Sequence, residues 1–457
     1  MDGESEASID LAAIEANVAA MARFVGSAQV MAVVKSDGYG HGLLPTARAA
    51  LSGGATWLGV NHVSEGLGLR AAGVTAPVLC LLAAPDAAHR AAIAAGVDLS
   101  AGTPGLVRQI GNAAEAAGRT ARLHIKADTG MSRGGATMDA WPDLVATTLD
   151  EQAQGRCEVT GIWSHLACAD IPGHPSVDAQ IAAFAEALAI AERAGARPAV
   201  RHLANTPALL TRPDTWFDMV RPGGGVTGLC TLPGGPPSWL RPAMTVRTHL
   251  VQVKRVPRGT GVSYGHKYVT SAETTLGLVP LGYNEGIPRA GSNAAPVFVR
   301  GKRLTIAGTV CMNQCVVDAD SLPVQAGDEV ILFGPGDRGE PTAQEWADLL
   351  GTLSYDIVTR FTAKIPRSYS GVTGQETAEP PATGTTGSAR DAGRHAGAAH
   401  VGGREALWSA GASSPGSPGS RQARSPQERG RSWSPRRSRW AGSGCAQTRM
   451  PESCSAT

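Results

Sequence analysis

The chain has 457 residues, enough for two or three domains, and its 42% apolar content supports a buried core. The net charge is +2, but residues 371–457 hold eleven arginines, no lysine and six acidic residues, so the rest is slightly acidic. This balance argues against a general nucleic-acid-binding protein. The acidic start lacks a signal-peptide pattern, no run approaches about 18 apolar residues, and no CxxC pair occurs. We therefore expect a cytoplasmic protein without a zinc or disulfide framework.

The first half of the chain alternates between short apolar runs and alanine-rich helical stretches, after a predicted helix from about Asp10 to Phe24. The eight strand-like runs are QVMAVVK, TWLGV, APVLCLL, VDLSA, RLHIKADTG, VTGIWSHLA, AVRHLANT and FDMVRPGGG. Strands that alternate with helices of this length indicate parallel βαβ units. Eight such units predict an N-terminal (β/α)8 barrel of the TIM type over residues 8–241. A doubly wound open sheet is the alternative.

The rhythm changes at about Pro242, where strand-like runs separated by Gly, Pro and Asp turns begin. These runs, closed by the helical stretches TAQEWADLLG and SYDIVTRF, predict a mainly β domain over residues 242–370. Residues 371–457 contain one leucine, no isoleucine and no phenylalanine, which predicts a disordered tail because so little apolar area can be buried. Its SWSPRRSRW stretch could contact RNA, but we prefer to interpret the tail as a solubilising or unselected extension.

Polar residues end five of the eight strand-like runs. They are Lys35, Lys126, His165, Asn205 with Thr206, and Arg221. The C-terminal ends of the strands of a barrel converge on one mouth, where active sites lie, so we expect these side chains to lie together. A lysine that ends an apolar run has two explanations: its ammonium reaches water along the surface, or its nitrogen takes part in chemistry.

The stretch MAVVKSDGYGHG resembles the segment that carries the pyridoxal-phosphate-binding lysine in alanine racemases, and the resemblance extends over residues 8–370. The other matching motifs, in the order of the family, are LHIKADTGMSRGG, WSHLA, HLANT, VRPGGGVTG, GVSYGHKY, LGYNEGIPR, GTVCMNQ and SYDIVTR. The resemblance implies a barrel followed by a β domain. It also implies a homodimer with shared active sites that uses pyridoxal 5'-phosphate to interconvert L-alanine and D-alanine, supplying D-alanine for peptidoglycan.

The resemblance further implies which residues act as the two bases. Lys35 would bind the cofactor covalently and exchange the α-proton on the face that presents D-alanine's proton. Tyr264, from the partner subunit, would serve the opposite face and act on L-alanine. Without the other motifs, Tyr264 would be interpreted as a packed strand aromatic.

Binding roles are implied in the same way, and no metal is expected. The cofactor-binding residues would be Lys35, Tyr39, His165, Asn205, Thr206, Arg221, Gly223, Gly224 and Tyr355. Of these, Arg221 would donate a hydrogen bond to the pyridine nitrogen, and His165 would orient Arg221. The substrate-binding groups would be Arg133, the Met312 amide and Tyr283. Lys126 matches a lysine that is often carbamylated in the family, and the carbamate would position Arg133. Without the modification, Lys126 would be an unmodified cation or an ion-pair partner.

The sequence departs from the family pattern at three positions, and the last two of them, Thr309 and Asn313, bear on substrate range because they lie near the substrate corridor in the family. Thr227 replaces a common tyrosine, Thr309 replaces an arginine and Asn313 replaces an acidic residue. A racemase for serine or several small amino acids is therefore the closest alternative. A non-catalytic pyridoxal-phosphate-binding protein and a barrel decarboxylase are others. The β domain argues against the first of these and the full set of motifs against the second.

Overall fold

The computed structural model describes residues 5–85, 88–361 and 364–371. The predicted disordered tail, apart from Gly371, lies outside the described residues. The strands, in chain order, are β1 (Glu6–Asp10), β2 (Gln29–Val33), β3 (Trp57–Val60), β4 (Val78–Cys80), β5 (Asp98–Ala101), β6 (Ala121–Lys126), β7 (Cys157–Trp163), β8 (Val200–His202), β9 (Met219–Val220), β10 (Met244–His249), β11 (Gln252–Val256), β12 (Gly261–Val262), β13 (Tyr268–Val269), β14 (Thr274–Val279), β15 (Pro296–Val299), β16 (Lys302–Thr305), β17 (Cys315–Asp318), β18 (Glu329–Phe333) and β19 (Arg367–Ser370).

The helices cover the barrel and close the second half of the chain. They are α1 (Leu11–Val25), α2 (Lys35–Tyr39), α3 (Leu43–Ser52), α4 (Val63–Ala71), α5 (His89–Ala94), α6 (Pro104–Ala117), α7 (Trp141–Ala153), α8 (Pro175–Arg193), α9 (Thr206–Thr211), α10 (Ala343–Leu350) and α11 (Ser354–Arg360). Local chemistry explains several boundaries. The Asp10 carboxylate accepts a hydrogen bond from the Ala13 amide and caps α1, and Thr342 with Glu345 forms a capping box at α10.

Eight parallel strands form the predicted barrel. Their order is β9, β2, β3, β4, β5, β6, β7 and β8, so the last strand along the chain lies beside the first. The two edge strands meet: the Asp218 amide donates to the Arg201 carbonyl at 3.1 Å and the Arg221 amide donates to the Ala204 carbonyl at 2.9 Å. The barrel prediction is confirmed, and the open doubly wound sheet is excluded because such a sheet leaves its edges apart.

Apolar side chains fill the barrel and separate it from its helices. One interior cluster comprises Met31, Val33, Trp57, Leu79, Val200 and Met219. These residues come from five of the eight strands, as expected for a barrel whose inward side chains pack in layers. A larger cluster joins the outer faces of the strands to the helices and continues into the β-rich part of the chain. The cavity described below therefore opens above a solid core.

The second half of the chain is mainly β, as predicted. A six-stranded sheet has the order β16, β15, β18, β10, β1 and β19, a three-stranded sheet has the order β11, β14 and β17, and β12 pairs with β13. The sequence analysis did not predict β1, which pairs antiparallel with β10 and parallel with β19. The first strand of the chain thus belongs to the sheet built by its last residues.

Three further features are stated for the described residues alone. None of their helices is long and apolar enough to span a lipid bilayer. No group of three or more His, Cys, Asp or Glu side chains is arranged to hold a metal ion. The six cysteines of this part of the chain are all free thiols.

Candidate active site

A cavity of about 670 Å³ lies at the C-terminal ends of the barrel strands. The sequence-predicted residues that line it are Lys35, Tyr39, Lys126, Arg133, His165, Asn205, Thr206, Arg221, Gly223, Gly224 and Tyr355. They follow β2, β6, β7, β8 and β9, with Tyr355 supplied by α11. Side chains scattered over 320 positions of the sequence are thus brought to one site, as the mouth of a barrel requires.

Lys35 begins α2, which is a tight left-handed turn just after β2 rather than a regular α-helix. The φ angles of Ser36, Asp37 and Tyr39 are +54°, +57° and +54°. Such angles are uncommon in non-glycine residues and need support from the surroundings. The Glu65 carboxylate accepts a hydrogen bond from the Ser36 amide at 2.7 Å, and Asp37 forms an ion pair with Arg367 at 2.5 Å. The turn that presents Lys35 is therefore held from the barrel on one side and from β19 on the other.

The cavity carries an excess of positive charge. Burial lowers the pKa of Lys35, and the nearby cations Arg133 and Arg221 lower it further, while Glu65 opposes them. Among the described lining residues, Asp170 is the only acidic one. Converging cations with little neutralising charge favour anionic ligands, and they also favour the neutral form of a lysine amine.

The Lys126 and Arg221 side chains both lie against the Trp163 ring. The Lys126 ammonium lies 4.3 Å from the Trp163 ring centroid and the Arg221 guanidinium carbon lies 4.9 Å from it. Burial, followed by the charges of Arg221 and Arg133, lowers the pKa of Lys126 to about 8. A substantial fraction of Lys126 is therefore neutral at slightly alkaline pH.

A small cradle of backbone and hydroxyl groups lies beside Lys35. The Thr206 hydroxyl accepts hydrogen bonds from the amides of Gly223 at 3.1 Å and Gly225 at 3.2 Å. The phenol rings of Tyr39 and Tyr355 meet edge to face at 5.6 Å. A Cβ atom on Gly223 would overlap the Tyr39 hydroxyl, and one on Gly224 would overlap the Tyr355 ring. Glycine is needed here because the backbone approaches both phenols closely.

Arg221 is buried and fixed by several groups. One terminal nitrogen donates to the Ser164 carbonyl at 2.8 Å and the Leu203 carbonyl at 3.1 Å, and it lies 3.2 Å from His165 Nδ1. Burial lowers the pKa of Arg221 to about 9, so the guanidinium stays charged at neutral pH. Burial and the charge of Arg221 hold the pKa of His165 well below its ordinary value, so the ring is neutral and accepts the hydrogen bond.

Three predicted residues do not line the cavity of their own chain. Tyr264, Tyr283 and Met312 are 73%, 43% and 56% exposed. Their backbone segments lie side by side, since the Tyr283 amide donates to the Cys311 carbonyl at 3.0 Å and the Thr309 hydroxyl donates to the Tyr264 carbonyl at 2.9 Å. We call Tyr264, Tyr283 and Met312 the tyrosine face. Large apolar side chains grouped on a surface are typical of an interaction site.

Comparison with known proteins assigns the family. Residues 9–231 match the family model of the alanine racemase N-terminal domain, and residues 243–369 match that of the alanine racemase C-terminal domain. The alanine racemase of Thermobifida fusca is 54% identical over 371 residues, which cover 81% of this chain and 99% of the relative. The chain belongs to the alanine racemase family. The resemblance stated from the motifs is confirmed.

Solved structures of alanine racemases share this architecture. The crystal structure of the alanine racemase from a D-cycloserine-producing Streptomyces lavendulae matches with a TM-score of 0.80 at 48% identity, covering 82% of this chain and 98% of that chain. The alanine racemase of Bartonella henselae, solved with covalently bound pyridoxal phosphate, matches with a TM-score of 0.73 at 27% identity, covering 80% of this chain and 99% of that chain. Likeness to alanine racemases thus extends over both parts of the described fold.

The positions that depart from the usual alanine racemase pattern make specific contacts. The Thr227 hydroxyl donates to the carbonyl of Gly224, a residue of the cradle beside Lys35, at 3.1 Å. The Asn313 side-chain amide donates to the Glu285 carboxylate at 2.6 Å, beside the tyrosine face. Both contacts are hydrogen bonds formed by short side chains.

Sequence reasoning missed several residues that contact the groups of this candidate site. Buried Gln180 on α8 donates to Thr129 Oγ1 at 3.2 Å and to the His165 carbonyl at 3.0 Å, joining two loops of the mouth. Glu65 and Trp163 were also missed, as were His124 and His202. A signal existed for His124: it precedes Lys126 by two positions in a strand, so both side chains point to the same side of the sheet.

Proposed function

We propose that the protein is a pyridoxal-phosphate-dependent alanine racemase that acts as a homodimer with two bases. The observation that carries this proposal is the separation of two sets of residues. Lys35 lies in a cationic cavity of the barrel, whereas Tyr264 lies exposed on the tyrosine face. A second copy of the chain that placed its tyrosine face over the mouth of the cavity would complete the site and cover the exposed apolar groups.

The residues of the cavity fit pyridoxal phosphate. The phenols of Tyr39 and Tyr355 lie against the glycine backbone, and the Thr206 hydroxyl, which accepts from the Gly223 amide, keeps its own proton to donate. These hydroxyl groups are suited to a phosphate. Lys35 would supply the amine that binds the cofactor aldehyde, and charged Arg221 would donate to the ring nitrogen. The bound cofactor supplies a conjugated ring that stabilises negative charge at the substrate Cα. The covalently bound cofactor of the Bartonella henselae relative supports this assignment.

The proposed proton transfers use one group on each face of the substrate. Lys35 Nζ, whose pKa burial lowers, takes or returns the α-proton on one face. The phenol oxygen of the partner's Tyr264 does the same on the other face. Arg133 and the backbone amide of the partner's Met312 hold the substrate carboxylate, and the partner's Tyr283 narrows the access path. Removal of a proton on one face and its return on the other inverts the α-carbon.

A two-fold dimer provides two such sites. An isologous interface brings the tyrosine face of each chain to the mouth of the other, which is the arrangement expected of the commonest symmetric assembly. Leu353, which lines the cavity and is largely exposed, would also be covered. We propose a cytoplasmic location and D-alanine for peptidoglycan as the product.

Subunit complementation tests the shared site. Lys35→Ala and Tyr264→Ala variants are expected to be inactive alone. A hybrid dimer of the two carries one doubly altered site and one intact site. Unfolding and reassembling an equal mixture should therefore restore about a quarter of the wild-type activity, since half of the dimers are hybrids with one working site of two. No recovery, with hybrid dimers detected by mass spectrometry, would show that both bases come from one chain.

Exchange of the α-proton in heavy water tests the assignment of faces. Tyr264→Ala should bind the cofactor and lose proton release from L-alanine more than from D-alanine. Equal retention from both enantiomers would contradict the two-base assignment. The alternative of a racemase with broader substrate range rests on the Thr309 and Asn313 departures beside the tyrosine face. Turnover of enantiopure serine, measured beside that of alanine, distinguishes the two. Absence of turnover with alanine would reject the proposal.

A further inference from the structure

A row of buried polar side chains crosses the barrel interior below Arg221. His202 Nδ1 lies 3.2 Å from a terminal nitrogen of Arg221, and His202 Nε2 lies 2.9 Å from His124 Nδ1. His124 Nε2 lies 3.4 Å from the carboxylate of Asp98. All four side chains are buried. We call Asp98, His124 and His202 the interior relay.

The chemistry of its two ends determines the direction of every hydrogen bond in the interior relay. A guanidinium only donates, so His202 Nδ1 must accept from Arg221 and the proton of this neutral ring sits on Nε2. His202 Nε2 therefore donates to His124 Nδ1, which leaves the His124 proton on Nε2. That proton faces the Asp98 carboxylate, which only accepts. One arrangement of protons satisfies the whole row.

The surroundings of the interior relay hold both rings in place. The Trp163 ring stacks on His202 with centroids 5.7 Å apart, and the Trp57 ring meets His124 edge to face at 5.4 Å. A Cβ atom at position 161 would overlap the His124 ring, so Gly161 makes room for it. Burial and the charge of Arg221 keep the pKa of His202 well below its ordinary value, so the ring stays neutral.

Two charges of opposite sign lie at the ends of the row. Buried Arg221 has no carboxylate among its hydrogen-bond partners in the described part of the chain: its partners are two carbonyls and two histidines. Asp98, at the far end, also forms an ion pair with the partly exposed Arg122 at 3.2 Å. Two polarised neutral rings therefore connect a buried cation to a buried anion.

We propose that Asp98, His124 and His202 are positioning residues for Arg221. This proposal rests on the proposed function, in which Arg221 donates to the cofactor ring nitrogen. The interior relay fixes the direction of one terminal nitrogen of Arg221, and Asp98 supplies the negative charge that the cation lacks nearby. The rival explanation is that Asp98 only forms a structural ion pair with Arg122.

The tautomers are measured first, on the full-length cofactor-loaded protein without turnover. Solid-state ¹⁵N NMR of ring-labelled histidine should show His124 and His202 as neutral rings protonated on Nε2, with signals assigned by their loss in single variants. A neutral ring protonated on Nδ1, or a charged ring at either position, would overturn the proposal. This result does not depend on catalysis, so it is distinguishable from failure of the proposed function.

Matched variants then separate charge from shape. Asp98→Asn keeps an oxygen that accepts from His124 but removes the charge, and His202→Asn keeps an acceptor for Arg221 but breaks the link to His124. Each should lower kcat about tenfold with a nearly unchanged KM for alanine, as expected from weakening one hydrogen bond to a charged group. Each should also shift the absorbance band of the bound cofactor. Unchanged kcat and absorbance in Asp98→Asn would overturn the proposal.

Arg122→Gln is the control for the structural explanation. It removes the exposed partner of Asp98 and leaves the interior relay intact, so the histidine tautomers, the cofactor absorbance and kcat should stay at wild-type values. If Arg122→Gln reproduces the effects of Asp98→Asn, the ion pair rather than the interior relay positions the site, and the proposal is wrong.

Discussion

The Thr309 hydroxyl donates a hydrogen bond to the backbone carbonyl of Tyr264 at 2.9 Å. The backbone carbonyl of Thr309 in turn accepts from the Ser263 hydroxyl at 2.5 Å. The φ angles of Ser263 and His266 are +60° and +44°, so the turn that carries Tyr264 needs such support. A residue that departs from the usual pattern of the family thus clamps the segment that presents the proposed base.

We expect Thr309→Val to weaken proton transfer on one face. The substitution conserves shape but removes the hydroxyl, and the loss of one hydrogen bond corresponds to about 1 kcal/mol, or about fivefold in rate. Release of the α-proton from L-alanine in heavy water should fall by about this factor, while release from D-alanine changes little. Thr309→Ser, which keeps the hydroxyl, is the control. An equal fall for both enantiomers would instead indicate a general packing defect.

Glu65 is expected to set the pH range in which Lys35 works. Its carboxylate binds the Ser36 amide and raises the pKa of Lys35 against the effect of burial. Glu65→Gln removes that charge, so the pKa of Lys35 should fall further and the neutral amine should persist to lower pH. The acidic limb of the pH profile for proton release from D-alanine should therefore move to lower pH.

An exposed glutamate far from the cavity provides the matched control for this measurement. Glu115 lies at the opposite end of the barrel in α6, where it pairs with Arg156 at 3.5 Å. Glu115→Gln changes the net charge equally and should leave the profile in place. A shift of the Glu65→Gln profile to higher pH would contradict the predicted sign.

His41 is expected to make the fold sensitive to acid. Burial lowers its pKa from 6.5 to about 4. Between pH 6.5 and pH 4 the unfolded chain therefore binds a proton that the folded chain does not bind. The contribution of neutral, buried His41 to the free energy of unfolding is complete above pH 6.5 and is lost as the pH falls towards 4. For a shift of this size the loss is on the order of 3 kcal/mol.

His41→Asn isolates this contribution. His41 Nδ1 lies 2.9 Å from the Tyr39 carbonyl, and an asparagine amide can donate to the same carbonyl without titrating. Urea unfolding at pH 7, 5.5 and 4.5 should show a smaller loss of free energy of unfolding in the variant than in the wild type. His165 and His202 remain in the variant and account for part of the remaining dependence of the free energy of unfolding on pH. Parallel losses in both proteins would refute the assignment to His41.

Lys126 is expected to react with carbon dioxide. The amine forms a nitrogen–carbon bond and releases a proton, which turns a cation into an anion among Lys35, Arg133 and Arg221. Because the pKa of Lys126 is about 8, the reactive neutral form increases as the pH rises through this value. ¹³C NMR with labelled bicarbonate should show a carbamate signal that grows from pH 7 to 9. Lys126→Arg keeps a cation and should lack the signal; a signal that persists in that variant would come from another lysine.

A residue of the site was predictable from the sequence where its position at the end of a strand was enough to place it at the mouth of the barrel. Lys35, Lys126 and Arg221 each follow an apolar run, and parallel strands bring their C-terminal ends together whatever the details of packing. Thr206 and Gly224 were placed by their motifs. The contacts of Glu65 and Gln180 were not predictable, because each joins segments whose separation depends on how the helices pack.

The sequence by itself determined the barrel and its mouth, because hydrophobic periodicity and chain order are local properties that a short stretch already carries. Only the tertiary structure decided the rest. β1 lies between β10 and β19, each more than 200 positions away, and the interior relay joins three strands whose inward side chains meet only once the barrel closes. The exposure of Tyr264 outside its own cavity is likewise a consequence of how distant strands pair, which no local pattern encodes.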